Sequence, residues 1–176
     1  VSIENFTKIR TRLLVAITAL AERGDYVLIG HSLGGVLIRA ALQRLPKHVR
    51  QPRHVFLLGS PVMPSRLAQT LGGNLVFRAM TGDCGQLLRS PLRMAEIVAT
   101  TVPTTAIIGI RGLTGKRTPF GDEMNDGVVS LSEVSADWLT DQVQLPVIHT
   151  FLPSSSQVAD VVLQRLASMA RETASP

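Results

Sequence analysis

The chain has 176 residues, a one-domain length with enough material for a sizeable core. Apolar residues make up 45%, which argues against wholesale disorder. The formal net charge is +5, but the arginines are scattered through the chain and aromatics are only 4%, which argues against a nucleic-acid surface and for an ordinary solvated one.

In chain order, residues 3–22 read as a helix, with Ile3, Phe6, Ile9 or Leu13, Ile17 and Leu20 at helical spacing and Gly24 as its stop. Residues 26–29 form a short, wholly apolar strand of the kind buried between helical layers. Helix resumes at Ser32 or Leu33 and runs to Arg44, with Gly34 and Gly35 in its first turn and Pro46 beyond it. A second buried strand covers 54–58 and ends at Gly59, and a third covers 104–110 and ends near Gly112. The fourth is placed at 143–148, where Pro146 marks it as short or at an edge. A final helix covers 157–169, with Val158, Val161, Val162, Leu166 and Met169 on one side, and residues 172–176 read as a frayed tail.

Strands that alternate with helical crossings describe a single α/β domain over residues 1–176, with a mostly parallel sheet of about four strands covered on both faces. Residues 61–103 are less regular, with short helical parts at 65–71 and 91–98. An insertion after a strand's C-terminal end sits over the ligand crevice of such a sheet, so this segment is expected to be a partial cap. Met63, Leu67, Leu71, Leu87, Leu88, Leu92 and Met94 are its candidate lining residues, with core packing under the cap as the alternative for each.

Chemistry concentrates at Gly30-His31-Ser32-Leu33-Gly34-Gly35, between a strand and a helix. That context gives a G-x-S-x-G pattern meaning: Gly30 and Gly34 allow strand and helix to approach, and Ser32 takes a strained turn with its Oγ at the top of the sheet. The N–H of Leu33 then faces a developing oxyanion at a helix N-terminus. The competing reading of Ser32 is a helix N-cap. His31 is too close along the chain to serve Ser32 as a base, and helps shape the pocket. Among the other histidines, His48 reads as solvated and His54 opens a strand at the wrong end of the sheet. His149 follows the fourth strand at the same edge as Ser32, and is the candidate base. Asp126, in Asn125-Asp126-Gly127, is the candidate orienting acid, with Asp122 and Glu123 as rivals and a plain turn as the alternative. These oxygens lack the spacing of a calcium loop, so no metal is expected. Cys84 is the only cysteine, which leaves no internal disulfide and no thiolate cluster.

With these residues in view, the chain resembles the α/β-hydrolase superfamily, in particular its lipase- and esterase-like members of the triacylglycerol-lipase and inositol-deacylase kind. Gly30 to Gly35 is similar to their nucleophile elbow, residues 125–130 to their acid loop, and His149-Thr150-Phe151 to their histidine loop. The resemblance covers most of residues 10–170. It implies carboxylic-ester cleavage through an acyl-enzyme, without an organic cofactor, under a cap positioned like residues 61–103. The chain departs from that family in having no strand before residue 26 and no His-Gly loop there to supply a second oxyanion N–H.

The expectation is therefore a serine hydrolase acting on a small-molecule or lipid ester with an apolar acyl chain, through Ser32, Asp126, His149 and the Leu33 N–H. The alternative is a non-catalytic remnant of the fold that acts as an interaction or structural module. An upstream chain segment or a second copy is expected to cover the sheet edge beside the elbow strand. No apolar stretch reaches the roughly 20 residues of a membrane helix and no secretory leader is evident, so a cytoplasmic location is expected.

Overall fold

The computed structural model describes the backbone of residues 3–71 and 86–174, and the side chains of residues 6–70 and 86–171. Its elements are α1 (Ile3–Ala21), β1 (Val27–His31), α2 (Leu33–Leu42), β2 (His54–Leu58), α3 (Arg66–Leu71), α4 (Pro91–Ala95), β3 (Thr104–Gly109), α5 (Leu131–Val134), β4 (Asp141–Leu145), a 3-10 turn (His149–Ser154) and α6 (Ser156–Ala174). Cys84 and the middle of the expected cap lie outside the described residues.

The four strands form one sheet in the order β1-β2-β3-β4, and every pair is parallel. β2 shows how two helical layers are carried. Its residues are buried throughout, and successive side chains point to opposite faces. Val55 and Leu57 join Ile17 and Ala21 of α1 and Ile38, Ala41 and Leu42 of α2 on one face. Phe56 and Leu58 join Ile107 of β3 and Val158 and Val162 of α6 on the other. The result is a partial α/β-hydrolase-like core.

Several boundaries differ from the sequence reading: α2 ends at Leu42 rather than Arg44 and the helix at 91–98 is Pro91–Ala95, and three further differences have a clear cause. β1 begins one residue later and runs on to His31, because His31 still pairs with Leu58 and the ladder pulls the chain straight up to the elbow. β4 lies at Asp141–Leu145 rather than 143–148. Pro146 has no N–H to continue a ladder, and the strand alternates half-buried and exposed positions, as an edge strand does. α6 continues to Ala174, through much of the expected tail. In α1 the row facing the core runs through Phe6, Leu13, Ile17 and Ala21, whereas Ile9 and Leu20 are exposed.

β1 occupies the opposite edge of the sheet from β4, and among the described residues no strand pairs with its outer side. Ile29, at its centre, is 52% exposed, a large value for an apolar strand residue.

Candidate active site

β1 leads directly into the turn at Ser32. After His31, the N–H of Ser32 donates to the Leu58 carbonyl at 2.8 Å, and α2 starts at Leu33. Ser32 sits at φ 52°, ψ −124°, the only positive φ of a non-glycine residue among those described. Such a conformation costs on the order of 1–3 kcal/mol and persists only where the surroundings impose it. The Ser32 side chain makes no capping hydrogen bond, so the helix-cap reading has no bond behind it. Leu33 is the first residue of α2, so its N–H has no partner within the helix.

The close approach of strand and helix runs through Gly30 and Gly35, and not through Gly34 as expected. A Cβ on Gly30 would lie 2.6 Å from the Cα and N of Gly35, whereas a Cβ on Gly34 would meet nothing within 4 Å. The helix turn between them faces Gly35 to the strand and Gly34 away from it.

His149 opens the 3-10 turn three residues past Pro146 and is 7% exposed. Its Nδ1 lies 2.7 Å from Asp126 Oδ2, and its backbone N–H donates to the Asp126 carbonyl at 2.9 Å. The Asp126 side chain is fully buried. Its other oxygen, Oδ1, accepts from the N–H groups of Val128 and Val129, each at 2.9 Å. A buried carboxyl group held by these partners keeps a fixed direction.

The rivals are placed elsewhere. Glu123 is bound by Arg66 and accepts from the Ser132 N–H at 2.7 Å. Burial pushes its carboxyl upward, but the hydrogen bonds from Arg66 and Ser132 outweigh this and hold it down to about 2. Asp122 is exposed. Arg66 also reaches the hydroxyls of Ser130 and Ser132, and Glu133 completes a capping box with Ser130 on α5, so α3 is tied to the loop that carries Asp126. His48 is exposed, as expected. His54 is buried and bonded to Thr105 Oγ1 at 2.8 Å at the far end of the sheet.

Two glycines at the site were not singled out from sequence. Gly59, at φ 50°, lies directly under the Asp126–His149 pair: a Cβ there would sit 2.8 Å from Asp126 Oδ2 and 2.9 Å from His149 Nδ1. Gly109, at the end of β3, would place a Cβ 3.0 Å from the Asp126 Cβ. The only sequence signal was a glycine at the C-terminal end of a strand.

Of the expected cap residues, Leu87 and Met94 are buried against Phe6, Val36 and Ala40, so they pack the core between α1 and α2. Met63 and Leu92 face solvent. A cavity of about 610 Å³ instead opens beside the histidine loop, lined by Arg111, Val147, Ile148, Phe151 and Ser154 among others. Among the described residues no three His, Cys, Asp or Glu side chains cluster as a metal site would need, and no helix is long and apolar enough to cross a membrane.

No protein-family model and no curated protein matches the sequence. Solved structures do match. The mature Bacillus licheniformis lipase BlEst2 is 18% identical, with 84% of this chain and 73% of that chain covered, at a TM-score of 0.63. Human thioesterase 2 is 13% identical, with 96% and 83% covered, at a TM-score of 0.52. The NocB thioesterase domain from the nocardicin cluster is 16% identical, with 92% and 73% covered, at a TM-score of 0.53. At such identities the likeness is one of fold, the α/β-hydrolase core that these lipases and thioesterases share with this chain.

Proposed function

We propose that this α/β-hydrolase-like chain is a serine hydrolase that cleaves carboxylic esters of an apolar acyl group through an acyl-enzyme. The observation that carries the reading is the buried 2.7 Å Asp126–His149 pair, at the same end of the sheet as a serine held at a positive φ. Asp126 keeps the proton on His149 Nδ1, which leaves Nε2 as the base. Ser32 Oγ attacks the acyl carbonyl and passes its proton to His149. The oxyanion is stabilised by the free Leu33 N–H and the field of the α2 N-terminus. Collapse of the tetrahedral intermediate expels the alcohol, which takes the proton back from His149. Water, deprotonated by His149, then releases the acid. The cavity beside the histidine loop has Arg111, Ser154, Ser155, Ser156 and Gln157 on its walls as well as Ile148 and Phe151, and its lining does not include Ser32 or His149, so the apolar acyl group rests on the resemblance alone. Solved structures of the same fold are named a lipase and thioesterases, which supports cleavage of an ester or thioester bond here.

The test is turnover of p-nitrophenyl butyrate by the wild-type protein and by Ser32→Ala and His149→Ala. Each substitution is expected to lower kcat by at least ~10³-fold, because such residues act as a unit. No turnover by a folded wild-type protein would favour the non-catalytic alternative, and a His149→Ala variant with wild-type kcat would remove the base assignment.

A further inference from the structure

His31 occupies the variable position of the elbow, yet its side chain does not point away from the chemistry. Its Nε2 lies 3.1 Å from the backbone carbonyl of His149, a residue 118 positions further along the chain. The two imidazole rings are tilted by 42° with their centroids 4.6 Å apart. His31 is itself fixed: it is the last ladder residue of β1, opposite Leu58, and the next N–H, that of Ser32, donates to the same Leu58. The side chain therefore joins the elbow strand to the histidine loop.

We infer that His31 is a positioning residue that holds the His149 loop against the elbow, so that the His149 ring keeps both its bond to Asp126 and its direction toward Ser32. This rests on the hydrolase reading above and adds to it a residue that the triad does not include. A carbonyl oxygen can only accept, so Nε2 of His31 carries the proton and Nδ1 is a free lone pair in the neutral ring. His149 is then gripped at three points: its N–H by the Asp126 carbonyl, its Nδ1 by the Asp126 carboxylate and its carbonyl by His31. The first two grips come from one loop. Only the third refers His149 to the strand that carries Ser32, and the distance between base and nucleophile is set across that join.

Neutrality of His31 belongs to the same arrangement. His149 must become an imidazolium in each half-reaction, and a second cation 4.6 Å away would oppose it. Burial, then the neighbouring His149, lowers the His31 pKa; the bond to the His149 carbonyl and the Asp126 charge act the other way without overcoming them. Asp126 and His149 are the charged and titratable groups that face it.

The substitutions His31→Phe and His31→Gln separate the bond from the ring. Phe keeps a ring of similar size and loses the donor; the amide nitrogen of Gln reaches to about where Nε2 stood and keeps the donor. Two readouts are taken on the full chain: steady-state kinetics with p-nitrophenyl butyrate, and the downfield proton NMR signal of His149 Nδ1–H with its exchange rate. For His31→Phe, kcat is expected to fall about 10-fold or more, the size of one lost hydrogen bond, with KM near wild type. The Nδ1–H signal is expected to exchange faster and broaden, and His31→Gln is expected to recover both. Wild-type kcat and wild-type exchange in His31→Phe would overturn the role, and so would failure of a folded His31→Gln to recover either. If His31→Phe does not fold, the ring ¹⁵N shifts of the wild-type protein decide: a proton on Nδ1 of His31 rather than Nε2 overturns the proposal. Failure of the underlying reading looks different. A wild-type protein that turns over no ester, but whose His149 proton still depends on His31, would refute the hydrolase and leave the positioning role standing.

Discussion

Replacing Gly59 with alanine should damage catalysis and stability together, although residue 59 has no functional group. The new methyl would lie 2.8 Å from Asp126 Oδ2, 2.9 Å from His149 Nδ1 and 2.9 Å from Leu152 Cδ1, whereas ordinary contact begins near 3.4 Å. Each neighbour must retreat by about 0.5–0.6 Å, the difference between those distances. Asp126 has little room to do so, because its other oxygen is held by two N–H groups at 2.9 Å. Gly59 cannot easily retreat either, since its N–H donates to the Ile107 carbonyl at 2.8 Å. The stress falls on the Asp126–His149 bond. Complete misdirection of a catalytic histidine costs roughly 10⁴-fold in kcat, so a strained pair should cost about 10²–10³-fold. Alanine at φ 50° adds about 1–2 kcal/mol of backbone strain and the crowding about 1–3 kcal/mol more. The assays are p-nitrophenyl butyrate kinetics and urea unfolding. Gly24→Ala is the control: it also has a positive φ, but its Cβ would meet nothing within 4 Å, so it should lose stability and keep kcat. A Gly59→Ala variant with wild-type kcat would refute the claim that the pair is what Gly59 makes room for.

Glu123→Gln should flatten acid unfolding. The folded pKa of Glu123 lies at about 2, below its ordinary 4.5, so the stability it contributes is complete above 4.5 and is lost as pH falls toward 2; unfolding curves over that window should differ between variant and wild type and converge at lower pH. Gly30→Ala should destabilise the fold by several kcal/mol, about 3 or more, because its methyl would meet the backbone Cα and N of Gly35 at 2.6 Å, which a swing of the Ile38 side chain at 2.8 Å cannot relieve; urea midpoints check this. The open side of β1 is expected to pair with a second copy of the chain, which sedimentation at low micromolar concentration would detect as a dimer; a fully active monomer would refute it.

How much could be read in the sequence depended on whether the signal was local. β2 was legible to the residue, because five apolar-rich positions end at a glycine and all five are buried. The strand-to-helix turn at Ser32 was legible because its glycines and serine lie within a few residues, but Gly35 rather than Gly34 makes the close approach. β4 was misplaced because the reading followed the apolar residues around Val147 and Ile148, whereas the strand is Asp141–Leu145, whose burial alternates at an edge. The roles of Gly59 and Gly109 were hidden because each is defined by neighbours in later loops, Asp126 and His149 for Gly59 and Asp126 and Val147 for Gly109. The same holds for His31, whose partner is known only once the loop after β4 folds back over β1. Arg66 gave no sequence signal either, since its tie to Glu123 spans the supposed cap and the acid loop. Leu87 and Met94 could be read as substrate lining or as core, because apolar character alone does not tell the two apart, and the structure packs both in the core.

The central claim is that Ser32 is a nucleophile activated by His149, and covalent labelling tests it most directly. A fluorophosphonate should add one phosphonyl group per chain, and peptide mapping should place it on Ser32. Ser32→Ala should take up none, and His149→Ala should label slower by at least ~10²-fold, since the phosphonate still reacts only through an activated hydroxyl. A label on any other residue, or equal labelling of wild type and His149→Ala, would contradict the account.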